Sequence, residues 1–422
     1  MKFFKALTNA YVYAAVILLN TIVAFLCVNW LTGLYLEHAA KEKVITENKV
    51  MAKYKNIFSD KEMLAKIYPG MTEAQIRAML DESWNRDFVY RPWAMYGEQP
   101  ITGEYVTVDP AGFRAVANQG PWPPSRDNYN IFLFGGSTLF GYGLPGGQTV
   151  ADHLQEALDA LPSRKPCKVY NFGAGTYYST QERIFYQNLL AQGFVPDAAV
   201  FLDGFNDPQR QEDAPWNSER FRQMMESSAR HTGAWEEIHI NWLKTKIIHY
   251  LPITEKLFDL ERLMPSKALL GEKDKAAVST QLAVRQIERF AANKKLVDAA
   301  SKAFGARDLY VWQPASKYDA DTLAINPFTT EDDAQLTYLY AQAEKRYKDG
   351  EFGDNFVWCA DILKGRQDVL YVDSAHYGNT LSKMCADCML RGMRKTGLLA
   401  PVLEEAAPGE TPAPAAAGTP AS

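Results

Sequence analysis

The 422-residue chain has only five cysteines and six histidines, and no stretch in which charge of one sign dominates. Its 45 Lys and Arg and 50 Asp and Glu are mixed along the chain, for a formal net charge of −5. There is no basic block and no interleaving of aromatics with Lys or Arg, so nucleic acid is excluded as a partner. Cys385-Ala-Asp-Cys388 is a C-x-x-C without a second such pair, and a zinc site would require Cys167 and Cys359 to converge on it. No metal and no cofactor are therefore expected. A disulfide from Cys359 to one member of that pair fits an oxidising compartment, and buried free thiols are the alternative. Gly141-Tyr-Gly143-Leu-Pro-Gly146 matches the dinucleotide fingerprint in letters only. It begins well after the preceding apolar run, contains Pro145, and no acidic residue closes the next run. Gly136 to Gly141 has phosphate-loop spacing, but Tyr142 stands where lysine is required. Leu139 replaces the last glycine of G-x-S-x-G, which disfavours a nucleophile elbow of the α/β-hydrolase kind.

What the chain does have begins with an anchor. No charged residue occurs between Tyr11 and Leu36, a run long enough to cross a hydrocarbon core of ~30 Å. Lys2 and Lys5 also suit a signal peptide, but the run is too long for one and no clean small-x-small cleavage site follows, so an uncleaved anchor is favoured. The amino-terminal lysines argue for a cytoplasmic N-terminus, and Lys41, Lys43, Lys49 and Lys53 weaken that bias. The body is expected outside the cytoplasm.

Residues 37–127 read as a charged, helix-friendly stalk followed by an N-terminal cap. Within it Thr72-Glu-Ala-Gln75 has the form of a capping box, and residues 85–120 are rich in aromatics, Pro and Gly, with a short strand at Glu104–Val108. From residue 128 short apolar runs alternate with amphipathic stretches. The runs are 129–134, 168–172, 198–203, 308–312 and 368–372, and the helical stretches 150–161, 181–193, 277–304, 331–348 and 378–396. This alternation predicts an α/β domain over 128–396 whose parallel sheet is covered on both faces. Residues 208–276 read as a helical insertion acting as a lid, and 397–422 as a disordered Ala/Pro-rich tail.

Ligands of open α/β sheets bind where the strands end. The first run is followed by Gly135-Gly136-Ser137-Thr138, the second by Asn171-Phe-Gly173-Ala-Gly175-Thr176, the third by Gly204-Phe205-Asn206-Asp207 and the fifth by Asp373-Ser-Ala-His376. Together they hold the parts of an acyl-transfer site. Ser137 needs an imidazole to take its proton, and His376 supplies one. Asp373, three residues earlier, orients that imidazole and stabilises its charged form. The amide of Ser137, a backbone amide at Gly175 or Thr176, and the side-chain amide of Asn206 are the oxyanion donors expected. His153, His231, His239 and His249 have no metal-ligand spacing and read as surface or core residues. Asp207 reads as a brace for its loop, and Gln313-Pro314 as the end of a strand.

In this order and spacing the four pieces resemble blocks I, II, III and V of the SGNH/GDSL hydrolase superfamily. The resemblance covers roughly residues 128–395. It implies a three-layer α/β/α sandwich, flavodoxin-like, with a five-stranded parallel sheet, and a triad of Ser137, Asp373 and His376. It also places Asn206 and a block II amide in the oxyanion hole. Gly136 stands where the name-giving motif has Asp, and Thr176 where the oxyanion glycine is usual, which leaves the block II donor open. The activity implied is that of a serine esterase or acyltransferase acting on small acyl esters, O-acetyl above all, of a cell-envelope or exported polysaccharide. A lipase or thioesterase for longer chains and a non-catalytic anchored polysaccharide-binding module are the alternatives. The site implied for the body is the periplasmic face of a bacterial inner membrane.

Overall fold

The computed structural model describes residues 2–46, 58, 60–207, 272–316, 318, 325–328 and 334–403. The expected lid, with His231, His239 and His249, and the tail from 404 lie outside the described residues, except that 272–276 belong to a helix.

Helix α1 (Lys2–Thr46) contains a 31-residue segment, Phe4–Leu34, whose most apolar 18 residues have a mean hydropathy of 2.3, long and apolar enough to cross a membrane. At 1.5 Å per residue it extends ~46 Å, more than the hydrocarbon thickness. Its large side chains, among them Ile17, Leu19, Leu26 and Trp30, are exposed, as lipid-facing residues are.

The described residues from 58 to 207 and from 273 to 403 cluster in a second unit. It opens with α2 (Lys61–Ile67) and α3 (Glu73–Trp84), the latter started by the capping box of Thr72 and Gln75. Two antiparallel hairpins follow: β1 (Phe88–Arg91) with β2 (Met95–Glu98), and β3 (Ile101–Thr102) with β4 (Thr107–Val108). Next come β5 (Tyr129–Gly135), the single turn α4 (Ser137–Phe140), α5 (Val150–Asp159), β6 (Cys167–Asn171), α6 (Ser179–Ala191) and β7 (Ala198–Asp203). After the undescribed segment lie α7 (Glu272–Phe304), β8 (Arg307–Trp312), α8 (Ala334–Lys348), β9 (Phe356–Trp358) and α9 (Asn379–Lys395).

The five strands pair in parallel in the order β6-β5-β7-β8-β9. That is 2-1-3-4-5 in chain order, the doubly wound arrangement of flavodoxin-like sheets. Every residue of β5 and β7 is buried, because both faces are covered. Side chains alternate between faces along a strand, and here the alternation separates two chemistries. Ile131, Leu133, Val200, Leu202 and Leu309 join an aliphatic core with α5 and α9. Phe132, Phe134, Phe201, Tyr310 and Trp312 join an aromatic core with α6, α7 and α8. Phe134 stacks on Phe201 at 5.1 Å and Phe201 on Tyr310 at 5.3 Å, so one aromatic rung crosses three strands.

The fifth strand is not the run expected. Residues 368–372 do not enter the sheet, and Phe356–Trp358 takes that place beside β8. Leu370, Tyr371 and Val372 are as buried as strand residues, but their backbones bond elsewhere. Leu370 N–H donates to Ile325 O at 2.9 Å, Val372 N–H to His376 O at 2.9 Å, and Gly378 N–H to Leu370 O at 2.7 Å. The run is apolar because it lies under α9, and burial without ladder pairing leaves the same imprint on sequence. Cys359, just past β9, forms a disulfide with Cys388 of α9, with Cα atoms 6.1 Å apart. Cys167 and Cys385 remain buried thiols.

Candidate active site

Ser137 begins the turn α4 at the end of β5, the strand between β6 and β7, and its side chain is half-buried. Gly136 before it leaves no room for a side chain while Asn206 keeps its place, since a Cβ there would lie 2.2 Å from Asn206 Nδ2. Gly141 ends the turn at φ +87°, the left-handed conformation that a C-cap glycine takes without strain. As the first residue of the turn, Ser137 has an N–H with no intrahelical acceptor.

The structure brings His376 to this serine from 239 residues away, with Nε2 2.8 Å from Ser137 Oγ. The imidazole Nδ1 lies 2.8 and 2.9 Å from the two oxygens of Asp373. Asp373 Oδ1 also accepts the backbone N–H groups of Ala375 at 2.9 Å and His376 at 2.8 Å. A carboxylate only accepts hydrogen bonds, so the shared proton sits on Nδ1 and leaves Nε2 able to receive the serine proton. Asp373 and His376 are 6 % and 8 % exposed, which shields this line of bonds from water. Because 368–372 is not a strand, the pair rides on the loop before α9 and not on a strand end.

Of the expected oxyanion donors, the Asn206 side chain lies beside the residue before the serine. Asn206 Nδ2 packs on Gly136 and donates to Tyr177 O at 2.7 Å, and its second N–H is a further donor. The Gly175 N–H is engaged by Glu98 Oε1 at 2.7 Å. Thr176, half-buried, has φ +60°, which costs a β-branched residue on the order of 1–3 kcal/mol. Of the two block II candidates, Gly175 therefore already has an acceptor inside the protein.

Several residues support the site, some of them with no sequence signal of their own. Arg114 is fully buried, and its guanidinium donates to the carbonyls of Phe140 at 3.1 Å, Gly141 at 2.8 Å and Leu144 at 2.7 Å, around the turn that bears Ser137. Burial lowers its pKa to about 10. Gln313 does more than end β8, for its Oε1 accepts Thr138 Oγ1–H at 2.7 Å and Tyr377 O–H at 2.9 Å. One side chain thus joins the residue after the serine to the residue after the histidine. Trp84 sets its edge against His376 at 4.9 Å and packs on Tyr142 at 4.6 Å. Asp207 accepts Ser179 Oγ–H at 2.6 Å and braces its loop. Nearby, burial pushes the carboxyls of Glu182 and Asp203 far above their usual range. His153 bonds Asn379 at 2.7 Å, at the start of α9. No group of His, Cys, Asp and Glu among the described residues has the arrangement of a metal site.

No family model matches the chain, and no curated protein matches it. Among solved structures it is similar to an acetylxylan esterase from Geobacillus stearothermophilus, at 13% identity and TM-score 0.36, over 65% of this chain and 97% of that one. It is also similar to a psychrotrophic esterase from Pseudoalteromonas sp., at 12% identity and TM-score 0.33, over 64% and 98% of the two chains. A third is a member of the lipolytic G-D-S-L family from Veillonella parvula DSM 2008, at 11% identity and TM-score 0.32, over 62% and 96%.

Proposed function

We propose that this chain is a membrane-anchored serine esterase of the SGNH type that acts on small acyl esters, O-acetyl above all, of a cell-envelope or exported polysaccharide. The observation that supports it is the unbroken line of hydrogen bonds from Asp373 through His376 to Ser137 Oγ. Serine, imidazole and buried carboxylate in that order make a nucleophile able to attack an ester.

In this reading Ser137 Oγ attacks the ester carbonyl while His376 Nε2 takes its proton. The tetrahedral oxyanion is held by the N–H groups of Ser137 and Thr176 and by Asn206 Nδ2. The imidazolium then protonates the departing sugar oxygen, leaving an acyl-serine. Water, or a second sugar hydroxyl, gives its proton to His376 and attacks the acyl-serine, and Ser137 is regenerated. Hydrolysis and transfer share these steps and differ in the acceptor. The packing of Trp84 and Tyr142 around His376 favours a small acyl group over a long chain. Two features support a body outside the cytoplasm: the segment Phe4–Leu34, and a disulfide that reducing cytosol would not maintain.

A fluorophosphonate probe followed by peptide mapping tests the reading. The label is expected on Ser137, and Ser137→Ala is expected to lose both labelling and p-nitrophenyl acetate hydrolysis. A Ser137→Ala protein that turns over at the wild-type rate would eliminate the enzymatic reading. Activity that rises from acetyl to palmitoyl esters would eliminate the small-acyl assignment.

A further inference from the structure

Strand β2 of the cap touches three consecutive residues of the block II loop. Glu98 accepts the Gly175 N–H at 2.7 Å. The Tyr96 hydroxyl is hydrogen-bonded to Thr176 Oγ1, and the Tyr177 hydroxyl donates to Tyr96 O. The carbonyl of the same Tyr177 accepts from Asn206 Nδ2 at 2.7 Å. The contacts thus run from the cap to two of the three donors assigned to the oxyanion.

Glu98 is an unlikely residue to find where it is. It is 1 % exposed, and burial raises its pKa, a cost that a residue serving only to fill space would not carry. It is kept there by a full set of partners: the Gly175 amide, the Tyr142 hydroxyl at 2.9 and 3.1 Å, and Arg86 at 3.2 Å. Tyr142 follows the serine turn and Arg86 follows α3, so one carboxylate joins the cap, the nucleophile's loop and block II. Thr176 between these fastenings is held at φ +60°, where a β-branched residue does not stay unless its surroundings require it.

We propose that Glu98 and Tyr96 are positioning residues, which hold residues 175–177 in the strained conformation that aims the Thr176 amide at the oxyanion formed on Ser137. Gly175 gives its own N–H to Glu98, so the donor is the residue after it. The inference rests on the functional reading above. The cap is then part of the catalytic machinery and not a cover placed over it.

The test uses the full-length chain in detergent micelles with p-nitrophenyl acetate. Glu98→Gln is isosteric and removes the charge that holds the loop. It is expected to lower kcat about a hundredfold, as loss of an oxyanion donor does, with KM changed less than about twofold. In a Thr176→Gly background, where the left-handed conformation is free of strain, the same substitution is expected to cost less than about fivefold. A role confined to general stability would cost the same in both backgrounds, and equal losses overturn the proposal. So does a folded Glu98→Gln protein with full kcat. If Glu98→Gln does not fold, Tyr96→Phe decides, because it deletes one hydroxyl: a fall in kcat of about tenfold supports the proposal and an unchanged kcat overturns it. Ser137→Ala, run alongside, separates the two claims. An active Ser137→Ala protein defeats the esterase reading, whereas an inactive one beside a fully active Glu98→Gln defeats only this inference.

Discussion

The loop that carries Ser137 and the loop that carries His376 are held in opposite ways. The histidine's loop is shaped largely by its own bonds. Asp373 accepts N–H groups from Ala375 and His376, Val372 bonds His376 O, and Gly378 bonds Leu370 O, while Leu370 N–H and Tyr377 O–H tie its ends to Ile325 and Gln313. The serine's turn is held by residues remote in the chain. Arg114 reaches the carbonyls of Phe140, Gly141 and Leu144, at the turn's end and just after it, from 26 to 30 residues away, and Gln313 fixes Thr138 from 175 residues away. A local motif needs only its own residues to be right, whereas a remotely held one needs the tertiary structure first. The difference predicts that the two loops respond differently to substitution.

The largest effect is expected at the imidazole itself. His376→Ala should lower ester hydrolysis by about ten-thousandfold or more while leaving the thermal midpoint nearly unchanged, since the bonds from Asp373 to the backbone survive. Collapse of the fold in calorimetry would show that the histidine's loop does not hold its shape through its own bonds. Next is Arg114→Met, which leaves buried carbonyls without donors. Denaturant unfolding should show a loss of about 4 kcal/mol, accompanied by a lower kcat. A variant as stable as wild type would break the claim that the serine's turn depends on remote support. The smallest of the three is Cys388→Ser. Cutting a crosslink between residues 29 apart should cost roughly 3 kcal/mol in thermal unfolding, with kcat unaffected well below the midpoint. A kcat that fell with the disulfide would mean that α9 positions His376 in a way its own loop does not.

The same contrast explains which parts could be read in advance. The parallel sheet was legible because strands covered on both faces must be apolar throughout, as 129–134 and 198–203 are. Ser137 was legible from the end of such a run, and Asp373 and His376 from a spacing that one turn of chain can close. Residues 368–372 misled, because a buried loop and a buried strand select the same side chains, while the three residues of β9 are too few to stand out. Glu98, Arg86 and Arg114 had no signal at all. A charge in a sequence reads as solvent-facing, and nothing local tells which carbonyls or amides will stand opposite it. The disulfide was half legible: Cys359 had two candidate partners, and only the direction of each side chain on α9 distinguishes Cys388 from Cys385.

The sequence by itself determined a segment long and apolar enough to cross a membrane, the layered α/β class and the residue types of the candidate site, since these follow from hydrophobic period and from chemistry carried by short stretches of chain. Only the tertiary structure decided which run completes the sheet, which cysteines pair, and that Glu98 occupies the Gly175 amide. Those choices depend on directional bonds between groups far apart in the chain, and a buried polar group must find its partner wherever the fold presents one.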